Sequence, residues 1–309
     1  MRVLLAGASG AVGTPLTRQL RTAGHEVVGI TRSQANAERL RKSGAEAVVA
    51  DVLDRENLLA AVRDVRADAV MHQLTALGTT KMREAMQGTN ALRTTGTAHL
   101  LAAARAVGAH RFLTQSIMFG YGYRDHGPRV ITEDDPFAEP VSGPLGSAIA
   151  AMGSTEEQVF AADEMEGIAL RYGLFYGQDS FTRMIINLVR KRRLPVPSSG
   201  GGFTNFIYLE DAAAATVAAL EKGRAGQAYN IVDEEPVRWA DYLDALAAEL
   251  GSRRPRRLPT WMLRAIPYLH TIMATSMRVS NAKARRELGW APAVSSYREG
   301  IALVVKESR

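Results

Sequence analysis

The chain has 309 residues, of which 46% are hydrophobic, and its 38 lysines and arginines outnumber its 32 acidic residues to give a net charge of +6 at pH 7. It contains no cysteine, which excludes disulfides, thiolate metal sites and cysteine nucleophiles, and its six histidines show no metal-ligand spacing, so no metal is expected. No apolar run approaches the roughly 20 residues needed to cross a bilayer, so we expect a cytoplasmic protein.

The first thirteen residues predict a dinucleotide-binding turn. A short apolar run at residues 3–6 predicts a strand, and an amphipathic segment through Leu20 predicts a helix. The glycines between them permit a tight turn, close approach of a diphosphate, and packing of the helix on the strand. We therefore expect the dinucleotide to contact, at the helix N-terminus, Gly7, Ser9, Gly10, Ala11, Val12 and Gly13.

The residues after the second predicted strand, 26–30, bear on the choice between NAD and NADP. A site that prefers NAD places Asp or Glu here to bind the ribose 2′-hydroxyl. This chain instead has Thr31, Arg32 and Ser33. A guanidinium beside hydroxyls suits a 2′-phosphate, so we expect NADP (NADPH) to be favoured over NAD, with no flavin.

Further strands are predicted at 47–50, 69–72 and 111–114, with helices around Leu40 and over 89–107. Strands and helices that alternate at this spacing predict an α/β fold, a Rossmann doubly wound parallel sheet that binds its ligand at the C-terminal edge of the strands. Side chains just after the strands should then meet the cofactor. Asp51 is placed to accept from the adenine amino group, and the others are Val52, Gln73, Leu74 and Thr75.

Several motifs together resemble the extended short-chain dehydrogenases/reductases, the group that includes the NAD-dependent epimerases and dehydratases. They are the GxxGxxG turn, Asp51-Val52, Gly96-Thr97, Leu170-Arg171-Tyr172 with Tyr176-Gly177, Phe206-Ile207-Tyr208 with Glu210-Asp211-Ala212, and Leu288-Gly289-Trp290. The resemblance implies an NADP-binding Rossmann domain over 1–176, with its sheet completed by about 206–231. It implies a smaller, mainly substrate-binding part over 177–309, and it places Tyr172 and Gly173 beside the cofactor.

The chain departs from the catalytic pattern of that family. The family's chemistry resembles a relay in which a tyrosine exchanges a proton with the substrate oxygen, a lysine four residues later lowers the tyrosine pKa, and a Ser or Thr holds the oxygen. The matching region, 148–157, contains neither residue, and no tyrosine or lysine occurs anywhere in 124–171. Ser116 matches the hydroxyl position and is our first catalytic candidate. Tyr121 is the second.

The substrate-binding pattern also differs. Leu174 stands where the family has an asparagine that helps to hold sugar nucleotides, and Thr204-Asn205 replace an arginine that clamps the diphosphate. A sugar nucleotide is therefore not expected. Residues 124–147, rich in glycine and proline, predict a long loop over the site. Aromatic and apolar side chains predict a flat substrate pocket lined by Phe119, Tyr123, Met152, Phe175 and Tyr176.

The missing relay bears on the reaction. Hydride transfer to a simple ketone forms a basic alkoxide that needs a proton donor, whereas a reduced quinone is a much less basic phenolate. We therefore expect an NADPH-dependent reductase of a conjugated carbonyl or quinone in an aromatic small molecule. Resemblance to atypical family members of bacterial aromatic-polyketide tailoring implies that the product could react with O₂, for a net hydroxylation of the monooxygenase type. An NADP-dependent epimerase or isomerase and a non-catalytic NADP-binding regulator remain open.

The expected partner is a hydrophobic aromatic small molecule. The basic clusters at 190–193 and 253–257 lack interleaved aromatic residues, so no nucleic acid is expected, and no membrane contact either. The resemblance implies a homodimer through helices within 82–107 and 146–166. A net hydroxylation would also be compatible with a separate oxygenase partner.

Overall fold

The computed structural model of the chain describes residues 1–76 and 82–307. Its strands are β1 Arg2–Ala6, β2 Glu26–Thr31, β3 Glu46–Val49, β4 Ala69–His72, β5 Arg111–Ile117, β6 Asp125–Ile131, β7 Glu166–Tyr172, β8 Leu174–Tyr176, β9 Val196–Pro197, β10 Phe203–Thr204, β11 Phe206–Tyr208, β12 Gln227–Ile231, β13 Val237–Arg238, β14 Arg257–Leu258 and β15 Ser276–Val279. Its helices are α1 Gly13–Thr22, α2 Gln34–Lys42, α3 Arg55–Ala61, α4 Met82–Ala91, α5 Thr97–Val107, α6 Pro144–Phe160, α7 Ser180–Arg190, α8 Leu209–Lys222, α9 Trp239–Glu249, α10 Thr260–Leu263, α11 Pro267–Ala274, α12 Ala282–Leu288 and α13 Tyr297–Glu307. A π-helix at Leu92–Gly96 joins α4 to α5, and a 3₁₀-helix at Met118–Tyr121 follows β5.

Seven parallel strands form the central sheet in the order β12-β7-β5-β4-β1-β2-β3. The order reverses between β1 and β4, which pair from Val3↔Ala69 to Ala6↔His72. A reversal of this kind opens a crevice beyond the C-terminal ends of the two strands, where doubly wound sheets bind ligands. The predicted α/β Rossmann fold is confirmed.

The strand sequences explain why helices cover both faces of this sheet. All four residues from Val3 to Ala6 are fully buried, and successive side chains point to opposite faces. Val3 and Leu5 belong to a core beneath α1 and α8, whereas Leu4 and Ala6 belong to a core beneath α3, α5 and α6. A strand buried on both faces therefore appears in the sequence as a continuous apolar run.

A third core holds the C-terminal part together. It is built from Tyr176, Phe206 and the buried faces of α7, α9 and α13. Of the residues 206–231, only β12 joins the central sheet, because Phe206–Tyr208 pair with Leu174–Tyr176 outside it. Within the described ranges, no helix is long and apolar enough to cross a membrane.

The segment 124–147 differs from its prediction as one continuous loop. Asp125–Ile131 forms β6, which pairs in parallel with β15, and α6 already begins at Pro144. The prediction is wrong there because Gly127 and Pro128 mask the strand pattern. The partner strand lies about 150 residues further along the chain, beyond the reach of local sequence rules.

Candidate active site

The glycine turn packs closely against the backbone on its inner side and is exposed to solvent on its outer side. Gly7 has φ +94°, and a Cβ there would lie 2.7 Å from the Gln73 carbonyl oxygen. A Cβ at Gly13 would overlap the Gly7 carbonyl oxygen, so both positions require glycine. Ser9, Gly10 and Ala11 are exposed at the start of α1. Backbone N–H groups at a helix N-terminus, with no side chain in the way, fit the diphosphate of a dinucleotide.

The end of β2 provides the cationic group predicted beside the ribose. Arg32 is exposed, and the described part of the chain gives it no ion pair. The Ser33 hydroxyl accepts from the Asn36 N–H (3.2 Å) and so caps α2, and Thr31 is buried. The Asn36 amide also donates to the Ser9 hydroxyl (3.3 Å), which joins α2 to the glycine turn.

Arg39, which sequence analysis missed, provides a second guanidinium beside Asn36 on α2. Its side chain donates to the Asn36 side-chain oxygen, one turn earlier on α2. The signal in the sequence was the i, i+3 spacing of Asn36 and Arg39 just after Arg32.

The ends of β3 and β4 supply the remaining predicted cofactor residues. Asp51 is half-buried, and one of its carboxylate oxygens accepts from the Leu53 N–H (3.0 Å), while Val52 is buried. Gln73 is buried and its amide donates to the Tyr172 hydroxyl (3.2 Å). The Leu74 carbonyl accepts from Gln115 and Thr75 is exposed, so the chain after β4 runs along the sheet edge with residues 77–81 outside the described part.

His72, the last residue of β4, is a neutral hydrogen-bonding group. Its Nδ1 accepts from the Leu74 N–H (3.2 Å), so its Nε2 is the atom that donates to the Leu92 carbonyl (3.1 Å). Complete burial lowers the pKa of His72 to about 4. The ring therefore positions the π-helix over the sheet edge and carries no charge there.

Ser116 lies at the end of β5 with an unpaired hydroxyl. It is 2% exposed, and its Oγ has no hydrogen-bond partner among the described residues. The side chain points to the same face as Phe112, four residues earlier on the strand, which packs in the core beneath α5 and α6. A buried hydroxyl without a partner fits a position where a ligand oxygen is held.

Tyr121, the second catalytic candidate, is part of a buried network. Its hydroxyl donates to the Asn230 side-chain oxygen (2.8 Å) and accepts from Arg171 (2.9 Å). Burial raises its pKa to about 12. The proton is therefore held by a protein partner, whereas the hydroxyl of Ser116 is not.

Helix α6 covers the region that matches the family's relay, and two of its buried residues there are Met152 and Glu156. Met152 and Glu156 stand four residues apart and are 3% and 4% exposed. Met152 packs against the aromatic residues after β5, and the Glu156 carboxylate accepts from Arg171 at 2.7 Å. The helix thus presents a buried thioether and a paired carboxylate, and it contains no tyrosine or lysine.

Three of the five predicted pocket residues come together. Phe119 and Tyr123 are stacked with ring centroids 5.0 Å apart, and Met152 belongs to the same cluster. We call these three residues the aromatic cluster. Phe175 packs on Tyr172 beneath α1 and α8, and Tyr176 lies in the third core against Phe206 and Tyr208.

Tyr172 and Gly173 lie where β7 meets the C-terminal part. The Tyr172 side chain is fully buried, and its hydroxyl is 2.6 Å from that of Thr216. A Cβ at Gly173 would come within 2.9 Å of the Asn205 carbonyl oxygen, and its N–H donates to the Ile231 carbonyl (3.0 Å). Both residues therefore pack elements together behind the sheet edge.

Arg93 is a further residue that sequence analysis missed. It lies in the π-helix between α4 and α5 and is 7% exposed. Its only signal in the sequence is a lone arginine within a helical stretch whose buried face is otherwise uncharged. A π-helix inside an α-helix frequently marks a functional site.

Comparison with known proteins identifies the family. The model of the NAD dependent epimerase/dehydratase family matches residues 3–232. The chain belongs to this family. The epimerase/dehydratase-family protein is 39% identical over 311 residues to a 3-diazoavenalumate denitrifying reductase from a Streptomyces species, across 97% of this chain and 99% of the relative.

Two other comparisons extend this result. A 2-alkyl-3-oxoalkanoate reductase from Stenotrophomonas maltophilia is 27% identical to this family member over 97% of both chains. The crystal structure of a UDP-glucose 4-epimerase from Thermotoga maritima shares its fold with a TM-score of 0.81 at 21% identity, over 100% of this chain and 99% of that one. This epimerase/dehydratase-family protein is thus an extended short-chain dehydrogenase/reductase and an NAD(P)-dependent oxidoreductase.

Proposed function

We propose that this protein is an NADPH-dependent reductase that adds hydride to an electron-poor, conjugated group on an aromatic small molecule. The observation that carries the proposal is the composition of α6. This helix contains no tyrosine or lysine, and the carboxylate of its buried Glu156 is bound by Arg171. An acceptor that needs no strong proton donor suits such a site, and the aromatic cluster supports a planar substrate.

The proposed preference for NADPH rests on two guanidiniums. Arg32 directly precedes Ser33, the N-cap of α2, and the Arg39 side chain reaches back along the helix to Asn36, which donates to Ser9 of the glycine turn. An arginine pair suits the two extra negative charges of a 2′-phosphate, and no carboxylate stands after β2 to bind a 2′-hydroxyl. When bound, the dinucleotide supplies the hydride.

The first acceptor we propose is an aryl diazo group in its diazonium form. Hydride addition to the terminal nitrogen gives a neutral aryl diazene, which releases N₂ and keeps the hydrogen on carbon, so no proton is taken up. The name of the Streptomyces relative, a denitrifying reductase of a diazo compound, supports this acceptor. Because reduction of a diazonium takes up no proton, this acceptor also explains why the relay tyrosine can be absent.

The second acceptor is a quinone or similarly conjugated carbonyl. One hydride and one proton convert a quinone into a hydroquinone, and the intermediate oxyanion is delocalised and weakly basic. The unpaired hydroxyl of Ser116 supports this acceptor, because a hydroxyl can donate to such an oxygen. Addition of O₂ to a ring carbon of the released hydroquinone gives a hydroperoxide, and loss of water from the hydroperoxide leaves a hydroxyquinone. This sequence is the proposed origin of a net hydroxylation.

The experiment measures oxidation of NADPH and NADH by the purified protein with an aryl diazonium, a naphthoquinone, an anthraquinone and a simple ketone. Evolved N₂ and consumed O₂ are recorded in parallel, and heat-inactivated protein corrects for uncatalysed reaction. We expect turnover with NADPH on the diazonium or the quinones and none on the ketone. Saturable NADPH binding without any oxidation would contradict the proposal and favour the regulator, whereas substrate conversion without net NADPH consumption would favour the epimerase or isomerase.

A further inference from the structure

Arg93 is a buried cation for which the described part of the chain offers no carboxylate. It is 7% exposed, and its Nε has no hydrogen-bond partner among residues 1–76 and 82–307. Burying a guanidinium without a counter-ion is strongly unfavourable. An anion supplied from outside the protein would remove that penalty.

The backbone holds Arg93 firmly over the edge of the sheet. Its carbonyl oxygen accepts from the hydroxyls of Thr97 (2.7 Å) and of Thr155 on α6 (2.7 Å). The preceding carbonyl, of Leu92, accepts from His72 at the end of β4. His72 pairs in register with Thr114, two residues before Ser116, so Arg93 and Ser116 belong to the same edge of the sheet.

The groups around the guanidinium suit an anion. The phenols of Tyr123 and Tyr268 interact electrostatically with the Arg93 guanidinium, and burial raises the pKa of each phenol, so both are neutral donors at pH 7. His72 is neutral as well. One guanidinium with no second described cation beside it balances a single negative charge, which favours a carboxylate over a doubly charged phosphate.

The anion that Arg93 would bind is a group of the substrate, because Arg93 lies near the aromatic cluster. Tyr123, whose phenol interacts with Arg93, is stacked on Phe119, so Arg93 lies close to the aromatic cluster. Tyr268 is 41% exposed on α11, so the same group of residues reaches the surface of the C-terminal part.

We propose that Arg93, with the phenols of Tyr123 and Tyr268, binds the carboxylate of an aromatic acid whose ring packs on the aromatic cluster. The inference rests on the proposed function, because it names the substrate class of the same site. It makes the substrate an anion and Arg93 the residue that selects it over neutral analogues.

The test compares two probes that differ only in charge, cinnamate and cinnamamide, by calorimetric binding to protein saturated with NADP⁺. We expect the wild type to bind cinnamate about 100-fold more tightly, the range expected for a buried charge pair. In Arg93→Met this preference should disappear while cinnamamide binding is kept, and Arg93→Lys should keep part of it. Equal binding of both probes by the wild type, or an undiminished preference in Arg93→Met, would overturn the inference.

The design separates this inference from the reductase proposal. Oxidised cofactor allows no hydride transfer, so the binding result stands whether or not NADPH is oxidised in the activity assay. Tyr268→Phe provides a variant at an exposed position if Arg93→Met does not fold. We expect it to weaken cinnamate binding several-fold without affecting cinnamamide, and unchanged cinnamate binding in this variant would remove Tyr268 from the site and count against the inference.

Discussion

The guanidinium of Arg171 on β7 and the carboxylate of Glu156 on α6 form a buried ion pair. Their closest atoms, Nη2 and Oε2, are 2.7 Å apart, and the two side chains are 10% and 6% exposed. The guanidinium also donates to Tyr121 and lies 4.3 Å from the centre of the Phe137 ring. Glu156, the buried carboxylate on the helix that faces Ser116, is therefore committed to a contact within the fold.

Removing both partners of this pair should cost less than the sum of the losses caused by removing each partner alone. We expect Glu156→Gln or Arg171→Met to lower the free energy of unfolding by about 3–5 kcal/mol, because an unpaired charge or an unmatched polar group stays buried. Glu156→Leu combined with Arg171→Met should cost less than the sum of the single changes. Urea denaturation measures each value, and strictly additive losses would show that the pair is not coupled.

Ser116→Ala separates the two proposed acceptors. With a quinone we expect kcat to fall by roughly 10²-fold, because the developing oxyanion loses a donor. With an aryl diazonium we expect less than about a twofold change, since no oxyanion forms. Steady-state kinetics on both substrates test this, with the exposed Ser147→Ala as the matched control. Equal losses on both substrates would argue that Ser116 positions the cofactor or the ring instead.

Gly13→Ala should abolish tight dinucleotide binding. The new methyl group would overlap the Gly7 carbonyl oxygen, so the turn must open, at a stability cost of about 1–3 kcal/mol. Gly153→Ala is the control, because a Cβ there meets nothing closer than 3.8 Å and α6 should gain about 0.5–1 kcal/mol. Fluorescence titration with NADPH and thermal unfolding provide the readouts. Normal NADPH affinity in Gly13→Ala would disprove the assigned role of the turn.

Arg32→Ala tests the proposed cofactor preference. Loss of a charge-assisted contact to the 2′-phosphate should raise KM for NADPH about 10–100-fold and leave KM for NADH unchanged. Arg63→Ala, which removes an exposed arginine after α3, controls for net charge. If KM for both cofactors rose equally, Arg32 would not be the residue that reads the phosphate.

Asp233 should make stability fall as the pH rises. Its carboxylate is 1% exposed, neither oxygen has a partner among the described residues, and burial raises its pKa to about 8. The unfolded chain releases this proton near pH 4, so the folded protein holds an extra proton between about pH 4 and pH 8. The free energy of unfolding is therefore highest, with respect to this group, below about pH 4, and it falls progressively as the pH rises from about 4 to about 8.

Asp233→Asn should remove this dependence and stabilise the protein at pH 8.5 relative to the wild type, by an amount on the order of a few kcal/mol. At pH 5 the two proteins should differ much less. Urea denaturation at both values measures the difference, with the exposed Asp64→Asn as control. A gain in stability that is the same at both values would mean that Asp233 is already ionised in the folded state.

Much of the fold follows from local patterns. Rules of short range predict the strand at residues 3–6, the glycine turn after it and the further strands through 111–114. The structure has a strand at each predicted strand position, and the glycine turn lies between β1 and α1. Strand β6 could not be predicted in this way. Its sequence contains Gly127 and Pro128, and its only partner in the described part of the chain is Ser276–Val279.

The site residues also fall into two groups, those that local rules locate and those whose position depends on long-range strand pairing. Ser116 and the glycine turn could be located from the sequence because Ser116 lies at the end of one strand and the turn follows another, and the ends of these parallel strands must lie at one edge. Phe175 and Tyr176 also follow a strand, yet they pack into two cores, because β8 turns away to pair with β11. The direction of a side chain beyond a strand end depends on what the chain pairs with next.

By itself the sequence determined the Rossmann fold, the dinucleotide turn and the loss of the tyrosine–lysine relay, since these depend on residue type and on spacings of a few residues. Only the tertiary structure decided that Glu156 is committed to Arg171, that the Tyr121 proton is held by Asn230, and that Arg93 is buried with no carboxylate from the described residues beside it. Each of these facts concerns which distant groups satisfy a buried charge or hydroxyl. Burial and long-range pairing set that balance, and neither is encoded in any short stretch of the chain.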